Sequence, residues 1–232
     1  MKIFPIIIFL LTLSCFFSGC TSTNRSISRA DIDYFEEIAL GFEDGGLPEV
    51  VYKYPNETIK IHICGVSDDQ SNATLKRVIS DFNGISERTK LLLIDDNDSN
   101  IQICFAYYND FDKYIGGYNK QDKGYFIELP PINQGQLHHG VIVIDNSTKS
   151  STRRPHLIRE ELTQSLGFGK DSRKESPYKD SIFYYHGNPV ISELSTYSLM
   201  DEKLIRMLYN TNISTNSNRD EVEVYFTRNP SL

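Results

Sequence analysis

HLIREELTQSLGFGKDS, residues His156–Ser172, decides how the chain is read. Ile158, Leu162 and Leu166 recur at i, i+4 and i+8, the spacing that puts apolar side chains on one stripe of a helix. Glu160 and Gln164, also four apart, share a second face, and Glu161 flanks it. Pro155 suits a first helical turn, where its missing N–H costs nothing, and Gly167 is placed to end the helix. The stretch is therefore a helix with one core face and one face of carboxylates and amide.

Working outward, the elements alternate in type and show no internal repeat. Ala30 to Phe42 has Ile32, Phe35, Ile38, Ala39 and Phe42 at helical spacing, and Gly45 and Gly46 end it. In Thr58 to Val66, Ile59, Ile61 and Ile63 alternate with Lys60, His62 and Cys64, which is strand logic with one face in the core. Asn72 to Ile85 is a helix carrying Leu75, Val78, Ile79 and Phe82, capped by Ser71 or Asn72. Lys90 to Ile94 and Asn100 to Tyr107 are strands around the acidic turn Asp95 to Ser99. That turn lacks the glycine and distal glutamate of a calcium loop and reads as solvated. Tyr114 to Ile127 is Gly- and Tyr-rich and reads as irregular, and Gly140 to Asp145 as a short apolar strand before the quoted helix. This order gives an α/β fold, a single domain with a mostly parallel sheet and packed helices. Asn210 to Asn218 reads as flexible, and Glu221 to Thr227, with Val222, Val224 and Phe226 alternating, as a last edge strand or an exposed tail. The expected boundaries are 1–19, 20–29, 30–210 and a polar tail 211–232.

The first twenty residues address the chain. Lys2, an apolar run from Ile3 to Leu13, and small residues before Cys20 are signal-peptide anatomy, with a run too short to span a bilayer stably. Phe17-Ser18-Gly19-Cys20 resembles a bacterial lipobox, which implies lipidation of Cys20, palmitate among the acyl chains, and firm anchoring by several chains. The alternative is an ordinary secretory signal that leaves Cys20 a free thiol. Thr21, where inner-membrane lipoproteins often carry Asp, points to the outer membrane, facing the periplasm. The full chain carries −7 at pH 7 and cleavage before Cys20 removes Lys2, leaving −8. Such a surface has no electrostatic pull toward nucleic acid. Cys64 and Cys104 both fall in expected strands, where they make either a disulfide or two buried thiols.

In zinc peptidases two histidines at i and i+4 grip the metal, and a glutamate beside the first is general base on the bound water. Glu160, Glu161 and Gln164 occupy those slots in order. Glu160 to Phe168 resembles a metzincin helix and glycine turn with both histidines replaced. Tyr178 to Tyr184 resembles the metzincin Met-turn, with Phe183 at the methionine, and Leu199 to Tyr209 is similar to the closing helix. The whole, including Phe42 and Glu43, most resembles a bacterial family of secreted lipoproteins, domain of unknown function 2927, over roughly residues 30 to 210, with Arg159 to Gln164 as its motif.

The resemblance implies a metzincin-like α/β fold with Glu161 at the general-base position. It also implies that the third histidine slot falls on Lys170, with Asp171 one place beyond. Glu160, Gln164 and Asp171 would form an oxygen-rich set suited to a hard divalent cation rather than to zinc. His138 and His139 precede a strand near the edge region that lines a metzincin cleft, His156 starts the quoted helix and His186 follows the Phe183 segment, and a rebuilt metal site would draw some of these four toward Glu160 or Gln164. The structural alternative pairs Glu161 with Arg159 or Arg206 and turns Gln164 toward loop amides around Gly167. Three functions follow: an envelope lipoprotein without zinc chemistry that binds a peptide or protein partner in its cleft or on its tyrosine-rich surface, an atypical metal-dependent hydrolase, or a structural envelope component.

Overall fold

The computed structural model describes residues 26–43, 46–96, 98–116, 124–129, 134–147, 153–173, 178–185 and 194–232. The signal peptide, Cys20, most of the tether and His186 lie outside the described residues. Five strands form one sheet in the order β2-β1-β3-β5-β4: β1 Thr58–Gly65, β2 Lys90–Ile94, β3 Ile101–Ala106, β4 Gly124–Leu129 and β5 His139–Asp145. All neighbours pair in parallel except β4, which runs antiparallel to β5 with Gly124 opposite Ile144. The helices are α1 Arg29–Ala39, α2 Asp69–Ile85, α3 Arg153–Gln164, α4 Leu199–Tyr209 and α5 Arg219–Arg228. This is the mixed, mostly parallel α/β domain that the sequence implies.

Strand alternation divides the core into two clusters. Ile101, Ile103 and Phe105 of β3, with Ile142 and Ile144 of β5, pack into the cluster that holds the helices' apolar faces. Cys104, Ala106, Val141 and Val143 point to the other face, covered by Phe111 of a 3-10 helix (Tyr108–Lys113) and by Ile115. Strands buried on both faces read as apolar runs, as Val141-Ile142-Val143-Ile144 does. On the second face the structure joins Cys64 to Cys104, which are direct partners in the β1–β3 register with Cα atoms 4.4 Å apart.

Four expectations change. The first helix, expected over Ala30 to Phe42 and ended by Gly45 and Gly46, stops at Ala39, because Leu40 turns extended and bridges to Val51, Gly41 takes φ +83°, and Phe42 bridges to Gly169. The α2 cap is Asp68, whose side chain accepts from Ser71 N at 2.7 Å, while Ser71 Oγ accepts from Arg154 and is thus turned away from capping. Residues 124–129 form the edge strand β4, although the stretch through Ile127 reads as irregular chain, because the run Tyr125, Phe126, Ile127 finds partners in Val143, Ile142 and Val141 of β5. Residues 219–228 form a helix rather than a strand or tail. A capping box between Asn218 and Glu221 starts α5, and Val222 and Phe226, four apart, are both buried while Val224 is exposed. Phe226 meets Phe35 of α1 edge to face, 5.3 Å between ring centroids. The loop before α5 is tied down as well, with Val51 N donating to Ser217 O and Asn216 N to Val51 O.

Candidate functional site

On α3 the core stripe behaves as its spacing requires: Ile158, Leu162 and Leu166 are fully buried. The turn after it closes with Gly167 N and Phe168 N donating to Gln164 O. Gly167 has φ +113°, and a Cβ there would collide with the Tyr52 carbonyl, so glycine is required.

Each polar residue of the motif meets a different partner. Glu160 pairs with His156 one turn back, Nε2 to Oε2 3.1 Å, and His156 Nδ1 contacts Leu194 O at 3.1 Å. Burial works against charge on this imidazole. The Glu160 carboxylate, with help from the Leu194 carbonyl and Asp201, overrides burial and raises its pKa above the ordinary histidine value. Glu161 is buried, and it lies against Gly124 of β4, where an added Cβ would sit 2.5 Å from Glu161 Oε1. Gln164 Nε2 donates to Asp171 Oδ1 at 2.7 Å, and Asp171 N donates to Glu43 Oε1 at 3.1 Å. Lys170, at the third histidine slot, reaches Glu49 at 2.8 Å.

Arg159 does not pair with Glu161, as the structural alternative would have it. Residues two apart on a helix face different ways. Arg159 instead crosses to α2, donating to Asp81 Oδ2 at 2.6 Å. Its guanidinium lies over the Tyr197 ring at 4.3 Å. Tyr197 OH in turn meets Thr163 Oγ1 at 2.8 Å, and Thr163 donates to Arg159 O. Arg206, the other suggested partner, donates to Ile85 O and comes within 3.9 Å of Glu87. Gln164's side chain is likewise on Asp171 rather than on the Gly167 amides. Asp81 and Tyr197 are members of this network that sequence reasoning missed. They are distant in sequence, and no local pattern marks them.

His138 and His139 stand at the start of β5, with His139 Nδ1 3.2 Å from Ser99 O and His138 O accepting from Asn100. Phe183 is fully buried against Phe168, ring centroids 5.3 Å apart, and its turn is held by Asp201, which accepts from Ser181 Oγ at 2.6 Å. Among the described residues no three His, Cys, Asp or Glu side chains form a group able to hold a metal ion. The oxygen set Glu160, Gln164 and Asp171 is divided between a His–Glu pair and a Gln–Asp pair. Those residues as arranged do not fit a zinc ion or a hard cation.

Fold and site together define one mixed α/β domain organised around a helix whose polar motif is largely paired internally. The chain belongs to the family described as protein of unknown function, DUF2927, whose profile matches residues 29–228. Among solved structures it is similar to two of myroilysin. One is 14% identical with a TM-score of 0.43, covering 69% of this chain and 97% of that one. The other is 12% identical with a TM-score of 0.45, covering 81% and 98%. No curated protein matches the chain. Among the described residues no helix is long and apolar enough to cross a membrane.

Proposed function

We propose that this chain is an envelope lipoprotein, anchored through lipidated Cys20 in the outer membrane and facing the periplasm, whose domain binds a peptide or protein ligand and lacks metzincin-type zinc chemistry. The observation that carries this is the internal pairing of the motif: Glu160 with His156, Gln164 with Asp171, Arg159 with Asp81. A zinc site needs those slots free for the metal. Beside them stands β4, the edge of the sheet, and an edge strand offers backbone donors and acceptors to an extended peptide.

A second reading is favoured by one residue. Glu161, the general-base slot, is the motif carboxylate that lies against β4, where an extended substrate would run. In that reading the chain is an atypical metal-dependent hydrolase. Metal content by mass spectrometry, on protein purified without chelator or histidine tag, separates the two. The binding reading expects no stoichiometric metal, and a Glu161→Gln chain that retains its partner in crosslinked envelope preparations. Stoichiometric metal that disappears in Glu160→Ala or Gln164→Ala sinks it and supports the hydrolase. The anchor is tested separately: Cys20→Ser should lose palmitate label and leave the membrane fraction.

A further inference from the structure

The sheet ends in β4 on one side and in β2 on the other. β2 runs Lys90-Leu91-Leu92-Leu93-Ile94, aliphatic after its first residue and without Pro or Gly, and Leu92 is 50% exposed. An edge strand of this composition is a template for a further strand, and left unguarded it drives self-association. Along a parallel pair, alternate residues turn their backbone N–H and C=O toward the partner strand. Lys90 N donates to Glu57 O, on the β1 side, at 2.8 Å. Lys90, Leu92 and Ile94 therefore face β1, and Leu91 and Leu93 face outward.

The outward groups of Leu91 are taken within the chain. Leu91 N donates to Asn83 Oδ1 at 2.8 Å, and Asn83 Nδ2 donates to Leu91 O at 2.9 Å. A primary amide carries a donor and an acceptor side by side, as the peptide backbone does, so one side chain of α2 makes both bonds that a neighbouring strand would make to this residue. Lys90 Nζ donates to Asn83 O at 2.7 Å and also to Ser86 O, which ties the start of β2 to the end of α2. Asn is a poor helix former, so its place in α2 is explained by β2 rather than by the helix.

We propose that Asn83 is an edge stop: its amide stands in for a further strand and keeps β2 from pairing with β2 of a second copy of this chain. A two-fold axis through such a pairing would set the two strands antiparallel and merge two sheets into one. With Leu91 closed, a second copy meets outward backbone groups of β2 only at Leu93, too few for a ladder. Lipid anchoring, which concentrates copies on one surface, raises the demand for such a stop, but the stop rests neither on the anchor nor on a ligand at β4.

The test is the protein mass of the full chain, measured by light scattering in excess detergent micelles over a hundredfold range of concentration. Asn83→Ala removes both bonds to Leu91 while favouring the helix. The wild-type mass should stay constant, and that of Asn83→Ala should at least double with rising concentration. Adding Leu92→Lys, which sets like charges against each other across a paired β2 edge, should return the mass to the wild-type value. Amide exchange supplies a measurement on the wild type itself: Leu91 N–H should exchange as slowly as amides of the β1–β3 ladder, and faster in dilute Asn83→Ala. An Asn83→Ala mass equal to wild type throughout, a raised mass that Leu92→Lys leaves in place, or fast exchange of Leu91 N–H in the wild type overturns the proposal.

Discussion

Arg159 is fully buried and among the described residues has one carboxylate partner, Asp81, whose own side chain is 37% exposed. Its Nη2 donates to Asp81 while Nε and Nη1 have no hydrogen-bond partner among the described residues, where the charge rests on one ion pair and on the Tyr197 ring beneath it. Removing one member of a buried pair costs more than removing both, because the remaining charge stays desolvated. Asp81→Ala should therefore lower unfolding free energy by about 2–4 kcal/mol in urea titration, and Arg159→Met in the same chain should restore much of it. If the double variant is no more stable than Asp81→Ala, the ion pair is not what holds α3 to α2. The same helix shows what sequence makes legible at this scale. The His156–Glu160 pair is written in an i, i+4 spacing. The partner of Arg159 lies far away in the sequence, on α2, and only the packing of α2 against α3 brings it near.

The elements differ in how openly the sequence states them. Central strands and helices with strong periodicity stand where their spacing puts them, except that α1 ends at Ala39, short of the Phe42 that its spacing includes. β4 hides behind a Gly- and Tyr-rich lead, since an edge strand's pairing depends on its neighbour in the sheet. α5 is ambiguous because Val222, Val224 and Phe226 satisfy period two as readily as Val222 and Phe226 satisfy i, i+4. The burial of Phe226 against α1 selects the helix. Phe226→Ala should cost about 3–5 kcal/mol, the range for truncating a buried aromatic side chain, measured by chemical denaturation. A loss below about 1 kcal/mol, far short of that range, would show that α5 is an appendage rather than part of the core. Cys64 and Cys104 show a third kind of legibility. Parity places each on a strand face, but only the register between β1 and β3 makes them partners. Reduction, or Cys104→Ser, should lower stability by about 2–4 kcal/mol, as expected for opening a closed loop of this order.

At the scale of the whole molecule, one buried and one half-buried cationic side chain give stability opposite slopes with pH. His156 has its pKa raised in the fold: burial opposes its charge, but Glu160 prevails. The stability it adds is complete below the unfolded value near 6.5 and is lost as pH rises through the folded value. Lys53 behaves in reverse. Burial first, and then the nearby Arg88, bring its amine from 10.5 down to about 8. Between those two values the unfolded chain binds more protons than the folded one, so stability rises with pH there. Buried tyrosines such as Tyr34 and Tyr209, which burial keeps protonated, begin to oppose folding above the unfolded phenol value near 10, which closes the window. A melting-temperature profile from pH 6 to 10 should therefore fall above pH 6.5 and recover above pH 8. His156→Asn should flatten the falling limb and Lys53→Met the rising one. Since Lys53 also holds Ile213 O behind the 213–217 loop, Lys53→Met should loosen amide hydrogen exchange in that loop at pH 7. A Lys53→Met chain with an unchanged rising limb would mean that Lys53 titrates at its ordinary value in the fold.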